Sequence, residues 1–189
     1  ATISGGEGND TITGGTQADI INGGAGADAL IGGTGNDIYR FNTNDVVAGE
    51  SITENAAAGT DVIAIVTTTD FTNMSAASFD EVEEILFDGV GQTATFTSGQ
   101  ISSETIALKE SSTGISNLII NVGIGETADL TTIAASTFDS GSDTITINGV
   151  VGGENIVGPN IVSTILGNDG ADNLTGGSQS DTLNGGNHN

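Results

Sequence analysis

The 189-residue chain has no cysteine, no tryptophan, one histidine, one tyrosine, one proline and only two basic residues, Arg40 and Lys109. Without cysteine there is no disulfide framework and no thiol chemistry. A single histidine, His188, excludes a histidine-rich zinc site and the H-E-x-x-H arrangement, and neither a G-x-S-x-G elbow nor a P-loop occurs. Two basic residues stand against 25 acidic ones, a net charge of −23. Such a chain repels nucleic acid, whose binding needs Lys and Arg at the phosphates, and it repels anionic membrane surfaces. No apolar run is long enough for a transmembrane segment and no signal peptide is visible. Glycoside hydrolysis needs only two carboxylates, and Glu81, Glu83, Glu84 and Asp88 cluster. With so few aromatic platforms the cluster reads as a solvated face, and the chain as no enzyme.

What is present is repetition. Residues 5–40 read GGEGNDTIT, GGTQADIIN, GGAGADALI and GGTGNDIYR, four nonapeptides with nothing lost between them. The register returns as GNDGADNLT (167–175), GGSQSDTLN (176–184) and the broken start GGNHN (185–189). The pattern is Gly-Gly-x-Gly-x-Asp-x-apolar-x. Glycines let the chain curl tightly, and a curled loop turns carbonyl oxygens inward. Asp10, Asp19, Asp28, Asp37, Asp172 and Asp181 add an anionic oxygen at place six. A hard cation such as calcium takes about six to eight oxygens at roughly 2.3–2.6 Å. The x-apolar-x that follows is a minimal strand with one inward side chain: Ile12, Ile21, Leu30, Tyr39, Leu174 and Leu183. One such unit cannot bury its own apolar residue, so it must stack on copies of itself.

These residues resemble the RTX (repeats-in-toxin) family of secreted bacterial proteins, over 1–40 and 171–189, about a third of the chain. Gln17 and Gln179 replace the third glycine and Asn168 the second, so those loops are expected to be strained and their sites weaker. The resemblance implies an all-β fold, a right-handed parallel β-roll or β-solenoid with two nonapeptides per turn and calcium-binding loops at both ends. It implies several Ca2+ ions, held between loops of successive turns, with Asp10 and Asp28 on one edge and Asp19 and Asp37 on the other. It also implies carbonyl ligands from places one and three: Gly5 and Glu7, Gly14 and Thr16, Gly23 and Ala25, Gly32 and Thr34, Gly167 and Asp169, Gly176 and Ser178.

Three stretches follow: an N-terminal calcium-binding roll (1–40), a central β-rich segment (41–140), and solenoid rungs running into C-terminal repeats (141–189). The central segment holds all the phenylalanines and Pro159 follows it. DVIAIVTTT (61–69), EEILFDG (83–89), TATFTSG (93–99), ETIALKE (104–110), SNLIINVG (116–123), DTITINGV (143–150) and ENIVGPNIVSTILG (154–167) read as short strands. Further solenoid is the preferred reading of 41–140, and a β-sandwich the alternative. MSAASFDEVEE (74–84) is the best helical candidate, a turn or two long, with Ser78 as its cap. DLTTIAASTFDSG (129–141) resembles stretches of RTX-type surface-layer proteins. Asp61, in TENAAAGTDVI (53–63), resembles the sequence that often follows RTX blocks, and either binds a further calcium or shapes a turn.

If Asn189 of one copy abuts Ala1 of another, the join reads GGNHNATIS and the nonapeptide register continues, with Ile3 at the inward place. A contact of that kind, repeated without closing, gives a filament. A boundary that falls there by chance is the alternative. The reading is thus a calcium-binding structural protein of the bacterial cell exterior, exported by type I secretion, folding on calcium and stacking head-to-tail into a filament or surface layer. Its rivals are the repeat region of a secreted enzyme or toxin, and a ligand-binding adhesin module.

Overall fold

Short runs of β-branched residues alternating with small polar ones make strands that each bury one row of side chains. The computed structural model describes residues 1–54, 59–102, 104–138 and 142–187, and within them the strand pairings are parallel. One sheet stacks seven strands: Thr2–Glu7, Ile20–Ala25, Ile38–Phe41, Val62–Ile65, Glu84–Phe87, Ala107–Glu110 and Ala134–Ala135. A second stacks six: Thr69–Asp70, Thr93–Thr97, Asn117–Asn121, Thr144–Asn148, Thr164–Leu166 and Thr182–Asn184. A third side is made of two pieces. Thr11–Gly15, Ala29–Gly33 and Ser51–Thr53 form the first, and Thr127–Asp129, Asn155–Val157 and Asn173–Thr175 the second. Between the pieces lie a 3-10 turn, Ala76–Ser78, and one α-helical turn, Ser98–Ile101, packed on each other and on the flanking strands.

The coil changes its cross-section along its length. Equivalent residues of successive turns are 18 apart in the N-terminal repeats, then 24 and 22 apart through Asp37, Asp61 and Glu83, and 27 apart at Ser116 and Asp143. They are 18 apart again at Glu154 and Asp172. An 18-residue turn has two sides and needs one inward residue per strand; Ile21, Leu30 and Tyr39 are buried there. The longer central turns have three sides and enclose a wider core, which takes larger side chains to fill. Phe71 stacks on Phe96 at 4.7 Å, and Phe41 and Phe79 meet Phe71 edge-on at 5.2 and 6.1 Å. Phe87 and Phe138 make a second pair at 5.5 Å. The buried Gln100 amide ties this core to the backbone, donating to Phe71 O at 2.8 Å and Met74 O at 2.9 Å.

The expected strands lie where their alternation placed them, and 41–140 adds rungs to the same stacks; no β-sandwich forms among the described residues. The helix expected over 74–84 is a single turn, Ala76–Ser78, with Ser78 inside it and not at its cap. The chain is drawn back into the coil because Glu84–Phe87 pairs on both sides, with Val62–Ile65 and Ala107–Glu110. The α-helical turn Ser98–Ile101 replaces the end of the strand expected over 93–99. Leu174 packs on the core, but Leu183 is 44% exposed, because its strand closes the six-stranded sheet and has one neighbour only. His188 and Asn189, and with them the join to Ala1, lie outside the described residues, as do 139–141 of the surface-layer-like stretch and 55–58 of the one around Asp61.

Candidate metal sites along the coil edges

Each repeat delivers its sixth-place aspartate just before a strand, at the edge of the coil. One carboxylate oxygen has a structural task. Asp28 Oδ1 accepts the Asp10 N–H at 2.8 Å, and Asp37 Oδ1 accepts the Asp19 N–H at 2.8 Å. Asp172 Oδ1 accepts the Glu154 N–H at 3.0 Å and Asp181 Oδ1 the Ser163 N–H at 2.9 Å. Asp19 Oδ1 takes the Ala1 ammonium. Asp10 and Asp28 therefore share one edge, and Asp19 and Asp37 the other.

The second oxygen has no such task. Oδ2 of Asp10, Asp28, Asp37 and Asp172 is buried without a hydrogen-bond partner, and Asp28 and Asp37 are 1% and 0% exposed. Burying a charged oxygen unpaired costs several kcal/mol, about what a bound cation would return. The glycines supply the cradle. A Cβ on Gly5 would lie 2.5 Å from Asp10 Oδ2 and 2.6 Å from the Gly23 carbonyl oxygen. On Gly14 it would lie 2.6 Å from Asp19 Oδ2 and 2.6 Å from the Gly32 carbonyl oxygen. On Gly167 and Gly176 it would meet Asp172 Oδ2 at 2.5 Å and Asp181 Oδ2 at 2.6 Å, and Gly23 lies against Asp28 in the same way. Carboxylate and peptide oxygens thus converge where a side chain is missing, the donor set a hard divalent cation takes.

The other expected ligands divide. The first-place carbonyls of Gly23 and Gly32 face the aspartate of the preceding turn. The third-place carbonyls of Ala25 and Asp169 accept the N–H groups of Gly8 and Gly152 at 2.7 and 2.8 Å, keeping one lone pair each. Glu7, Thr16, Thr34 and Ser178 lie on the exposed rim. Asp181 has least to offer a cation: its Oδ2 accepts the Gly177 N–H at 2.8 Å and its Oδ1 also meets Ser163 Oγ at 3.0 Å. The strain expected at Gln17 and Gln179 is not there. At the fourth place the left-handed φ is taken by glycine alone, for example Gly26 at +138°, and the two glutamine loops follow another path.

The ladder runs beyond the nonapeptides, and of its further members the sequence pointed only to Asp61. Glu50 Oε2 accepts the Asp28 N–H at 2.9 Å, and Asp61 Oδ1 the Asp37 N–H at 2.8 Å. Glu83 Oε2 accepts the Asp61 N–H at 2.7 Å, and Asp143 Oδ1 the Ser116 N–H at 2.9 Å. Glu154 is 2% exposed, with Oε2 buried and unpartnered. A Cβ on Gly149 would lie 2.7 Å from the Gly167 carbonyl oxygen and 3.1 Å from Glu154 Oε2, the same cradle as in the repeats. Its signal was present: a glycine and, five residues later, a carboxylate, 18 residues before Asp172.

Burial pushes the Glu50 carboxyl up to about 7, with the charge of Asp28 adding to it. Burial raises Asp61 as well, followed by the charges of Glu83 and Asp37. Of the acidic cluster read as a solvated face, only Glu81 is exposed. Glu84 is 7% exposed and pairs with Lys109 at 2.5 Å, Asp88 pairs with Arg40 at 2.8 Å, and Glu83 is in the ladder. Both basic side chains of the chain are thereby engaged in the central coil, away from the repeat carboxylates.

The model of the RTX calcium-binding nonapeptide repeat (4 copies) matches residues 4–39 and 164–189. No curated protein and no solved structure matches the chain. No helix among the described residues is long and apolar enough to cross a membrane. Residues 4–39 and 164–189 are RTX calcium-binding nonapeptide repeats, set at the two ends of one β-solenoid.

Proposed function

We propose that this is a non-catalytic, calcium-set structural protein of the bacterial cell exterior. The observation that carries the reading is the row of buried carboxylate oxygens, on Asp10, Asp28, Asp37 and Asp172, with no partner in the protein. Without a cation these groups oppose folding, and a net charge of −23 opposes compaction further. With calcium, binding energy becomes folding energy. Calcium is scarce inside cells and abundant outside, so the chain would stay loose until exported and set afterwards, which suits passage through a type I secretion channel. The sheets favour end-to-end assembly into a filament or surface layer. Thr2–Glu7 and Thr182–Asn184 each pair on one side only, leaving a strand edge that a further turn of the same register would fit. Light scattering during a calcium titration tests this: the expected result is growth into large particles that a chelator dissolves. A calcium-loaded chain that stays monomeric at high concentration refutes the stacking.

A second reading, a ligand-binding adhesin module, draws on exposed apolar side chains at the corners of the central coil. Val90 and Ile124 are 73% and 76% exposed, and Val151 is 71% exposed. Binding of calcium-loaded protein to glycan or protein surfaces, lost in Val90→Ser and Ile124→Ser, would support it.

A further inference from the structure

We propose a calcium site outside the nonapeptides, held by Asp37, Glu54 and Asp61, that clamps the joint between the two-sided N-terminal roll and the three-sided central coil. The site rests on the calcium reading of the repeats. One carboxylate oxygen from each of the three residues lies within 4.8 Å of the others. Asp37 and Asp61 are 0% and 1% exposed, and Asp37 Oδ2 is aimed into the group with no hydrogen-bond partner. Gly32 leaves the space. A Cβ there would meet Asp37 Oδ2 at 2.5 Å, the Tyr39 hydroxyl at 2.5 Å and Glu54 Oε1. The Tyr39 hydroxyl donates to Glu54 Oε1 and so turns that carboxylate toward the two aspartates.

Three carboxylates at this spacing repel one another strongly, and neither of the chain's basic side chains is set against them. The two are engaged elsewhere, Arg40 with Asp88 and Lys109 with Glu84. A divalent cation with a preference for oxygen would neutralise the three carboxylates. The position has a purpose. Asp19 and Asp37 are 18 residues apart, whereas Asp37 and Asp61 are 24 apart, so the turn lengthens at this point. Between Asp10 and Asp28, and between Asp19 and Asp37, successive turns are equal in length. Here the next turn contributes Glu54 as well as its sixth-place carboxylate, Asp61, so the ion ties a long turn to a short one.

Tyr39 is the only tyrosine and there is no tryptophan, so terbium bound beside it is excited by one nearby residue. The experiment titrates the full chain with calcium by calorimetry, and with terbium by tyrosine-sensitised emission, for wild type, Glu54→Gln and Asp61→Asn. The amide oxygen that Asp61→Asn introduces can still accept the Asp37 N–H, and Glu54→Gln changes no strand, so far-UV circular dichroism in saturating calcium should show both folded. The expected result is the loss of one calcium ion per chain, with terbium affinity at the emitting site weakened about tenfold or more, since affinity in such sites follows ligand charge. Should Asp61→Asn fail to fold, Glu54→Gln decides. Wild-type stoichiometry and emission in the folded variants would overturn this site and leave the repeats as calcium binders. A wild-type chain that binds no calcium at all would overturn the reading on which the site rests.

Discussion

Replacing Asp28 by asparagine should change the sign of its effect with calcium. Asp28 is 1% exposed; its Oδ1 accepts the Asp10 N–H and its Oδ2 has no protein partner. The introduced asparagine can keep the first bond through its carbonyl, but it presents an amide where the cation needs an anionic oxygen. At a calcium concentration about 100-fold above the site's Kd, a filled site contributes about 2.7 kcal/mol, and that is what the variant loses. Without calcium the buried orphan oxygen is a cost of about 1–3 kcal/mol that the variant relieves, together with one like charge. The two conditions should therefore differ by about 4 kcal/mol, roughly a thousandfold in the ratio of folded to unfolded chain. The assay is chemical denaturation followed by far-UV circular dichroism, in calcium and in chelator. An osmolyte can bring the calcium-free chain into the measurable range. An equal loss of stability in both conditions would refute the reasoning, since Asp28 would then act through its protein contacts alone.

Other expectations follow from single groups. Glu50 keeps its proton up to about pH 7 in the folded chain, against an ordinary value of 4.5. Between those values the folded state binds more protons than the unfolded, so calcium-free stability should fall as pH rises through that window. Glu50→Gln should flatten the fall in a series of thermal melts, and an unchanged slope would discount Glu50 as its source. Phe71→Ala empties the centre of the phenylalanine cluster and should cost about 3–5 kcal/mol, with or without calcium, in the same denaturation assay. Gly24→Ala places a Cβ at φ +100° against the Gly6 carbonyl and should lower the melting temperature of the N-terminal roll while sparing the distant Gly177 loop, as read by hydrogen exchange.

The repeats were legible because each residue's task is local. Glycine frees a curl, aspartate supplies an oxygen and the next apolar residue points inward, so Ile21, Leu30 and Tyr39 could be placed in the core from spacing alone. The central strands were legible for a similar reason, alternation around β-branched residues. The three-sided cross-section was not. It depends on turn lengths of 22 to 28 residues and on which phenylalanines meet, and neither has a period to read. The helical candidate at 74–84 shrinks to one turn because the helical spacing of Phe79 and Val82 competes with distant demands on the same segment. Glu83 is bound by the Asp61 N–H and Glu84 by Lys109. Glu154 was overlooked because its repeat has lost the glycine pair and the aspartate, though the spacing from Gly149 persists.

The two rolls stand on different sheets. The seven-stranded sheet begins in the N-terminal repeats and ends at Ala134–Ala135, while the six-stranded sheet begins at Thr69–Asp70 and runs to the C-terminal repeats. The remaining side is broken by helical turns. Among the described residues no one hydrogen-bonded ladder runs from end to end, so tension along the stack has to cross from one sheet to the other in the central coil. That section is a lap joint, with the phenylalanine core as the glued overlap. Load passes there by shear over a broad packed area, while in the rolls it bears directly on the rungs that bound calcium would brace. A pulled molecule would then give way first at whichever roll has lost its calcium, and its splice would hold.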